Sequence, residues 1–159
     1  MVHILLATYN GGRYLKEQIE SILCQTYSNW SLVIADDGST DETLSVIDEY
    51  VQRFPKKIAL LSSEPSGSAQ NNFFRLLLSC QGDYMMFCDQ DDVWKKDKIE
   101  KTFRSMKEAE SKYGENTPVL VHSDLAVVDS NLNMISPSMS RYQKISPHRC
   151  SFKNLLVQN

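Results

Sequence analysis

Asp89, Asp91 and Asp92 fall within four positions at the end of the apolar run Met85-Met86-Phe87-Cys88, with no lysine or arginine among them. Carboxylates crowded this closely repel, and each resists ionisation of the next. As hard oxygen donors they suit Mg²⁺ or Mn²⁺. A divalent cation would relieve the repulsion, leave coordination sites for a diphosphate and stabilise charge developing on a departing phosphate. Alone, the stretch Asp89-Gln90-Asp91-Asp92 reads more readily as a solvated turn than as a site, because short motifs match by accident.

Two other polar segments invite the same two readings. Asp36-Asp37-Gly38-Ser39 is ordinary turn chemistry with an N-cap serine, or a carboxylate pair that accepts hydrogen bonds from a base N–H or ribose hydroxyls. In Thr8-Tyr9-Asn10-Gly11, Tyr9 is either a rim aromatic or a flat surface for a nucleobase. What joins the three segments is the elements that carry them. Residues 2–7, 30–35, 58–61 and 84–88 are short apolar runs bounded by turn residues, as buried strands are. Between them, residues 14–25, the segment from Glu42 to Phe54, and residues 69–80 repeat apolar positions at helical spacing. Ser39 and Glu42 fit a capping box for the second helix, and Pro55 ends it. Alternation of this kind predicts βαβ units and a mostly parallel sheet. All three polar segments then stand at the carboxyl ends of strands, where open α/β sheets bind ligands. A charged helix is expected over residues 95–113, a fifth strand over 119–122, a further segment over 125–128, and an amphipathic piece over 152–157.

With its three motifs in this order, the run from Leu5 through Thr43, followed by Gly82-Asp83-Tyr84-Met85-Met86-Phe87-Cys88-Asp89-Gln90-Asp91-Asp92-Val93-Trp94, closely resembles family 2 glycosyltransferases. The Asp-Gln-Asp-Asp-Val-Trp form is similar to the rhamnosyltransferase-like branch. The resemblance implies a GT-A-like Rossmann-type sandwich, a central parallel sheet flanked by helices, over one catalytic domain spanning 1–159. It implies an inverting transfer from a dTDP- or UDP-sugar to a glycan or lipid-linked acceptor, in cell-surface polysaccharide synthesis. Carried over by position, Thr8, Tyr9 and Asn10 would line the nucleoside pocket. Asp36 would meet the base, with Asp37 and Ser39 beside it, and Asn72 would face the donor. Asp89 would contact the ribose or metal region, Asp91 would be the principal metal ligand, and Asp92 would hold the sugar or assist the metal. The cofactor implied is Mg²⁺ or Mn²⁺. The family's general base lies well beyond the acidic motif. None is identified here, and it is expected beyond Asn159, in a chain truncated before the acceptor region. Asp124 reads as a sugar-binding or structural residue, not as that base.

Composition bounds the alternatives. The 159 residues carry a formal charge of −3, so no global field draws nucleic acid or an anionic membrane. No stretch approaches the ~20 apolar residues of a membrane span, which leaves peripheral association with the inner face of the plasma membrane. Cys24, Cys80, Cys88 and Cys150 show no metal spacing and read as free thiols of a cytoplasmic protein, Cys24 and Cys88 buried. Two further readings stand beside the enzyme: a catalytically incomplete nucleotide-sugar-binding module, and a phosphohydrolase of the haloacid dehalogenase type. The second wants its acidic motif after the first strand, whereas here it follows the fourth.

Overall fold

The apolar run after Met1, interrupted only by His3, has a structural reason. It forms β1 (Val2–Thr8), which lies between two neighbours and is covered on both faces. β2 (Trp30–Asp36) and β4 (Tyr84–Cys88) pair with β1 in parallel, and β3 (Ile58–Ser62) pairs with β2. The structure, a computed structural model, describes residues 1–145 and divides into two compact units, Met1–Lys107 and Glu108–Asn159. Among the described residues of the first unit the strand order is β3-β2-β1-β4.

Successive strand side chains point to opposite faces, and each face recruits its own helices. Val2, Ile4 and Leu6 of β1 join Leu32 and Ile34 of β2 on one side. There they meet Leu15, Ile19 and Ile22 of α1 (Gly12–Leu23), Ile47 and Tyr50 of α2 (Thr43–Arg53), and Ile99 of α4 (Lys98–Tyr113). On the other side Leu5 and Ala35 pack against Leu76 of α3 (Ala69–Ser79). The chain therefore changes face between β3 and β4, and the strand order reverses between β1 and β4. Doubly wound sheets hold ligands at such a reversal.

Local expectations change at the loops. The capping box does not form: Glu42 occupies the α2 N-cap with no side-chain hydrogen bond. Asp41 serves instead, its Oδ1 accepting from the Thr43 N–H at 3.0 Å, while Ser39 is drawn into another network. α1 begins at Gly12, ahead of the expected start, and α4 only at Lys98, after a turn closed by Lys98 N–H to Lys95 O at 2.9 Å. Cys24 is exposed at the end of α1, contrary to expectation, whereas Cys88 is buried.

In the second unit the apolar run at residues 119–122 is not a strand. A four-residue run cannot sustain a strand without a neighbour to pair with. Pairing occurs between β5 (Val127–Val128) and β6 (Met134–Ser136), antiparallel. Asp129 Oδ1 closes their turn by accepting from the N–H groups of Asn131 and Asn133, both at 2.9 Å. A short helix, α5 (Met139–Tyr142), follows. Cys150 and the amphipathic piece over 152–157 lie outside the described residues.

Asp124 is a bracket within this unit. Its carboxylate accepts from the Ser138 hydroxyl at 2.5 Å, the Ser140 N–H and hydroxyl at 3.1 Å each, and the Leu125 N–H at 2.9 Å. These bonds, Ser138 foremost, hold its carboxyl down at about 2. A depressed carboxylate contributes stability above its unfolded pKa, near 3.9, and loses it as pH falls through the folded value. The Asp124 carboxyl carbon, followed by NMR, should titrate with a midpoint near 2. A midpoint near the ordinary value of roughly 3.9 would contradict the bracket.

Candidate functional site

The turn after β1 and the loop after β2 are bound into one unit. Asn10 adopts a left-handed backbone with φ 47°, which asparagine tolerates better than most side chains. Its N–H donates to Ser39 Oγ at 2.8 Å, and its Oδ1 accepts from the Thr40 N–H at 2.9 Å. Farther along, the Gly11 N–H donates to Thr43 Oγ1 at 2.9 Å and the Gly12 N–H to Asp41 Oδ2 at 3.0 Å. Asp36 lies beneath this unit, fully buried. Its Oδ1 accepts from Thr8 Oγ1 at 2.7 Å and Ser39 Oγ at 2.6 Å, and its Oδ2 from the Ser39 N–H at 2.7 Å. Tyr9 stands outside with its side chain in water, 58% exposed, so its ring face is free to stack.

Asp37 ties in a third loop. Its Oδ1 accepts from the N–H groups of Ser66 and of Gly67, the latter at 3.0 Å. Desolvation pushes its carboxyl up, but these bonds and the Arg75 charge outweigh it, and the pKa ends below the usual carboxylate range. Gly38 between them has φ +78°, and a Cβ there would sit 2.7 Å from Pro65 Cγ, so both backbone and space require glycine. Asn72, in the first turn of α3, is buried and donates from Nδ2 to the Ala35 carbonyl at 2.7 Å. Its Oδ1 has no partner among the described residues. Buried acceptors seldom stay unpaired, so this one marks a place where a ligand donor or water would be welcome.

The acidic loop behaves differently. Among the described residues none of the carboxylates of Asp89, Asp91 and Asp92 accepts a hydrogen bond. Partial burial pushes the Asp89 carboxyl up, and the Asp91 charge adds to the rise. Burial and then Asp89 raise Asp92, with Lys98 partly offsetting them and Asp91 adding again. The repulsion read from the sequence is therefore present, offset only in part by the Lys98 charge near Asp92. Among the described residues no three His, Cys, Asp or Glu side chains converge as a metal cage. The donor set still fits a divalent cation, since Mg²⁺ is usually held by one or two carboxylates together with substrate phosphates.

Both ends of this loop are anchored. At the far end Trp94 is buried, its N–H donating to Ser21 Oγ at 3.0 Å, and Gln25 Nε2 donates to the Lys95 carbonyl at 2.8 Å. Lys98 Nζ lies 4.9 Å from the centre of the Trp94 ring. At the near end Gln90 Oε1 accepts from the Tyr9 N–H at 2.9 Å, and Gln90 Nε2 donates to the Tyr9 carbonyl at 3.0 Å. In the sequence Gln90 is only the residue between Asp89 and Asp91, with no local cue to this pairing. Asp41 and the Ser66-Gly67 backbone likewise have partners remote in sequence. Only Asp41, two positions before a helix-starting threonine, carries a local cue.

Hydrogen bonds thus hold Thr8, Tyr9, Asn10, Asp36, Asp37 and Ser39 together at the carboxyl ends of β1 and β2, with the acidic loop tied to them through Gln90. The sequence profile described as "Glycosyl transferase family 2" matches residues 3–136. The dTDP-rhamnosyl transferase RfbG of Shigella flexneri is 43% identical over 98 residues, 59% of this chain and 34% of that protein. TuaG of Bacillus subtilis, a putative teichuronic acid biosynthesis glycosyltransferase, is 33% identical over 108 residues, 68% of this chain and 42% of its own length. The chain therefore spans well under two thirds of these relatives. In fold it is similar to residues 1–349 of Staphylococcus aureus TarS solved with UDP-GlcNAc, with TM-score 0.61 and 24% identity over 67% of this chain and 31% of that one. It is also similar to the mannosyltransferase PcManGT of Pyrobaculum calidifontis solved with GDP-Man and Mn²⁺, with TM-score 0.58 and 24% identity over 65% and 31%.

Proposed function

The chain belongs to glycosyl transferase family 2, and from that premise we propose that it binds a dTDP- or UDP-sugar with Mg²⁺ or Mn²⁺ for inverting transfer to a glycan or lipid-linked acceptor. The observation that carries the reading is the sheet edge at the β1–β4 reversal, where the hydrogen-bonded Thr8, Asp36, Ser39 and Asn10 stand beside an acidic loop whose charge Lys98 offsets only in part. A bound divalent cation would supply charge stabilisation for the departing diphosphate. The chain's own residues do the rest. Tyr9 offers its ring to the base. Thr8, Asn10, Asp36 and Ser39 hold the shape of the nucleoside pocket, with Asp37 fixing the loop beside it. Asp91, with Asp89, supplies the metal ligands, Asp92 faces the sugar, and Asn72 has a carbonyl oxygen left for the donor.

The likeness to RfbG supports a dTDP-sugar and a rhamnosyl unit; the UDP-GlcNAc bound to TarS and the GDP-Man and Mn²⁺ bound to PcManGT support a nucleotide-sugar donor with a divalent metal. Cell-surface polysaccharide synthesis, in the cytoplasm at the inner face of the membrane, is the setting we assign. Among the described residues no helix is long and apolar enough to cross a membrane. The bonds from Ser138 and Ser140 that occupy the Asp124 carboxylate support a structural role for it.

The test is thermal. A ligand at a hundred times its Kd stabilises by about 2.7 kcal/mol, which lifts the melting temperature of a chain this size by about 5 °C or more. dTDP or UDP with Mn²⁺ should produce that rise, and the nucleotide with EDTA should not. No rise at millimolar nucleotide and metal would overturn the reading.

A further inference from the structure

We propose that Gln90 is a positioning residue for this site: its side-chain amide latches the acidic loop to the Tyr9 turn and so sets where Asp89, Asp91 and Asp92 stand. The proposal rests on reading this sheet edge as a nucleotide-and-metal site, and it concerns which residue gives that site its geometry.

Main-chain pairing supplies the starting point. β1 stays paired with β2 as far as Thr8 and Asp36, but its pairing with β4 ends at Leu6 and Cys88. Beyond that point the β1–β4 ladder stops, at the kind of strand-order reversal where doubly wound sheets hold ligands. The Tyr9 N–H and carbonyl both turn to Gln90, at 2.9 and 3.0 Å. A carboxamide carries a donor and an acceptor in one plane, as a peptide group does. The Gln90 side chain thus takes the place of a β4 peptide and carries the β1–β4 connection past the end of the ladder. An ionised glutamate would keep the acceptor, lose the donor and add a further negative charge to the loop. Asparagine has the amide on a stem one methylene shorter.

Gly11 supplies an independent observation. A Cβ there would lie 2.2 Å from Gln90 Oε1 and 2.4 Å from its Cδ. Gly11 has φ −105°, so its backbone does not call for glycine; the space taken by Gln90 does. A methyl group at this position would push the amide off Tyr9 while leaving the turn's own backbone unstrained. The two proposed metal ligands, Asp89 and Asp91, are the immediate chain neighbours of the latched residue. Releasing Gln90 therefore frees both at once, whereas the anchors at Ser21 and Gln25 hold only the loop's far end.

The experiment compares the chain with its Gln90→Ala, Gly11→Ala, doubly substituted and Gln90→Glu forms. Three quantities are read: hydrogen exchange of the Tyr9 amide without ligand, Mn²⁺ half-saturation by electron paramagnetic resonance at fixed dTDP, and melting temperature. Each alanine variant should exchange Tyr9 about tenfold faster and need about tenfold more Mn²⁺, the ratio set by one lost latch. Its melting temperature should move by no more than about 6 °C. The double variant should be no worse than either single one, because residues acting through one contact are not additive. Gln90→Glu should fail to rescue. Unchanged Tyr9 exchange in both alanine variants overturns the latch. Faster exchange with unchanged Mn²⁺ half-saturation overturns its positioning role. A parent chain that binds neither Mn²⁺ nor dTDP overturns the proposed function and the positioning role together. That case is distinguishable, because in the other two the parent chain binds.

Discussion

Asp91→Ala is expected to abolish the Mn²⁺-dependent rise in melting temperature given by dTDP or UDP, while the free chain melts at the same temperature or higher. The first half follows from the metal role proposed for Asp91. The second follows from electrostatics. Asp91 is exposed and accepts no hydrogen bond among the described residues, so its removal breaks none there. Its charge raises the pKa of Asp89 and Asp92, after their burial. A carboxylate whose folded pKa lies above its unfolded value stabilises the fold at low pH and loses that contribution as pH rises through the folded value. At neutral pH the free acidic loop is therefore a destabilising feature, and removing one charge relieves it. Sites that wait for a charged ligand commonly carry this stability cost. Differential scanning fluorimetry with Mn²⁺ or EDTA reads both halves. A variant that kept the whole metal-dependent rise would remove the metal role from this loop.

Asp36→Ala is expected to cost about 3 kcal/mol or more of folding stability, measured by urea denaturation. Asp36 is fully buried and Thr8 nearly so. Alanine would strand the Thr8 hydroxyl together with the Ser39 N–H and hydroxyl, all of which now donate to the carboxylate. A buried donor left without an acceptor costs about 1–3 kcal/mol, and the emptied space adds to it. Asp36→Asn keeps the shape and one carbonyl acceptor, so its loss should be smaller. Because Ser39 in turn accepts from Asn10, nucleotide binding should weaken along with stability. A loss below about 1 kcal/mol would contradict the assignment of Asp36 as the centre of this network.

The sheet was legible because its determinants are local. β1, β2 and β4 are short apolar runs ending in polar turns, and Leu15, Ile19 and Ile22 mark the buried stripe of α1. Periodicity and punctuation suffice for such elements. The gathering of Thr8, Asp36 and Asp89 at one sheet edge followed from parallel order alone. What stayed hidden depends on partners far along the chain. Ser39 looks like a cap from its spacing to Glu42, yet Asp36 and Asn10 claim it. Gln90 looks interchangeable until Tyr9, distant in sequence, is brought against it. The run at 119–122 has the composition of a strand, but a strand also needs a neighbour, and composition does not provide one. Cys24 lies in a helical pattern that does not reveal which face meets the core at the last turn.

Isothermal titration of dTDP and of UDP into the chain, with Mn²⁺ and again with EDTA, tests the central claim most directly. The account predicts saturable binding of one nucleoside diphosphate to one site per chain in the presence of Mn²⁺, lost in EDTA. Absence of binding by either nucleotide with Mn²⁺ at millimolar concentration, or binding of equal strength in EDTA, would contradict it.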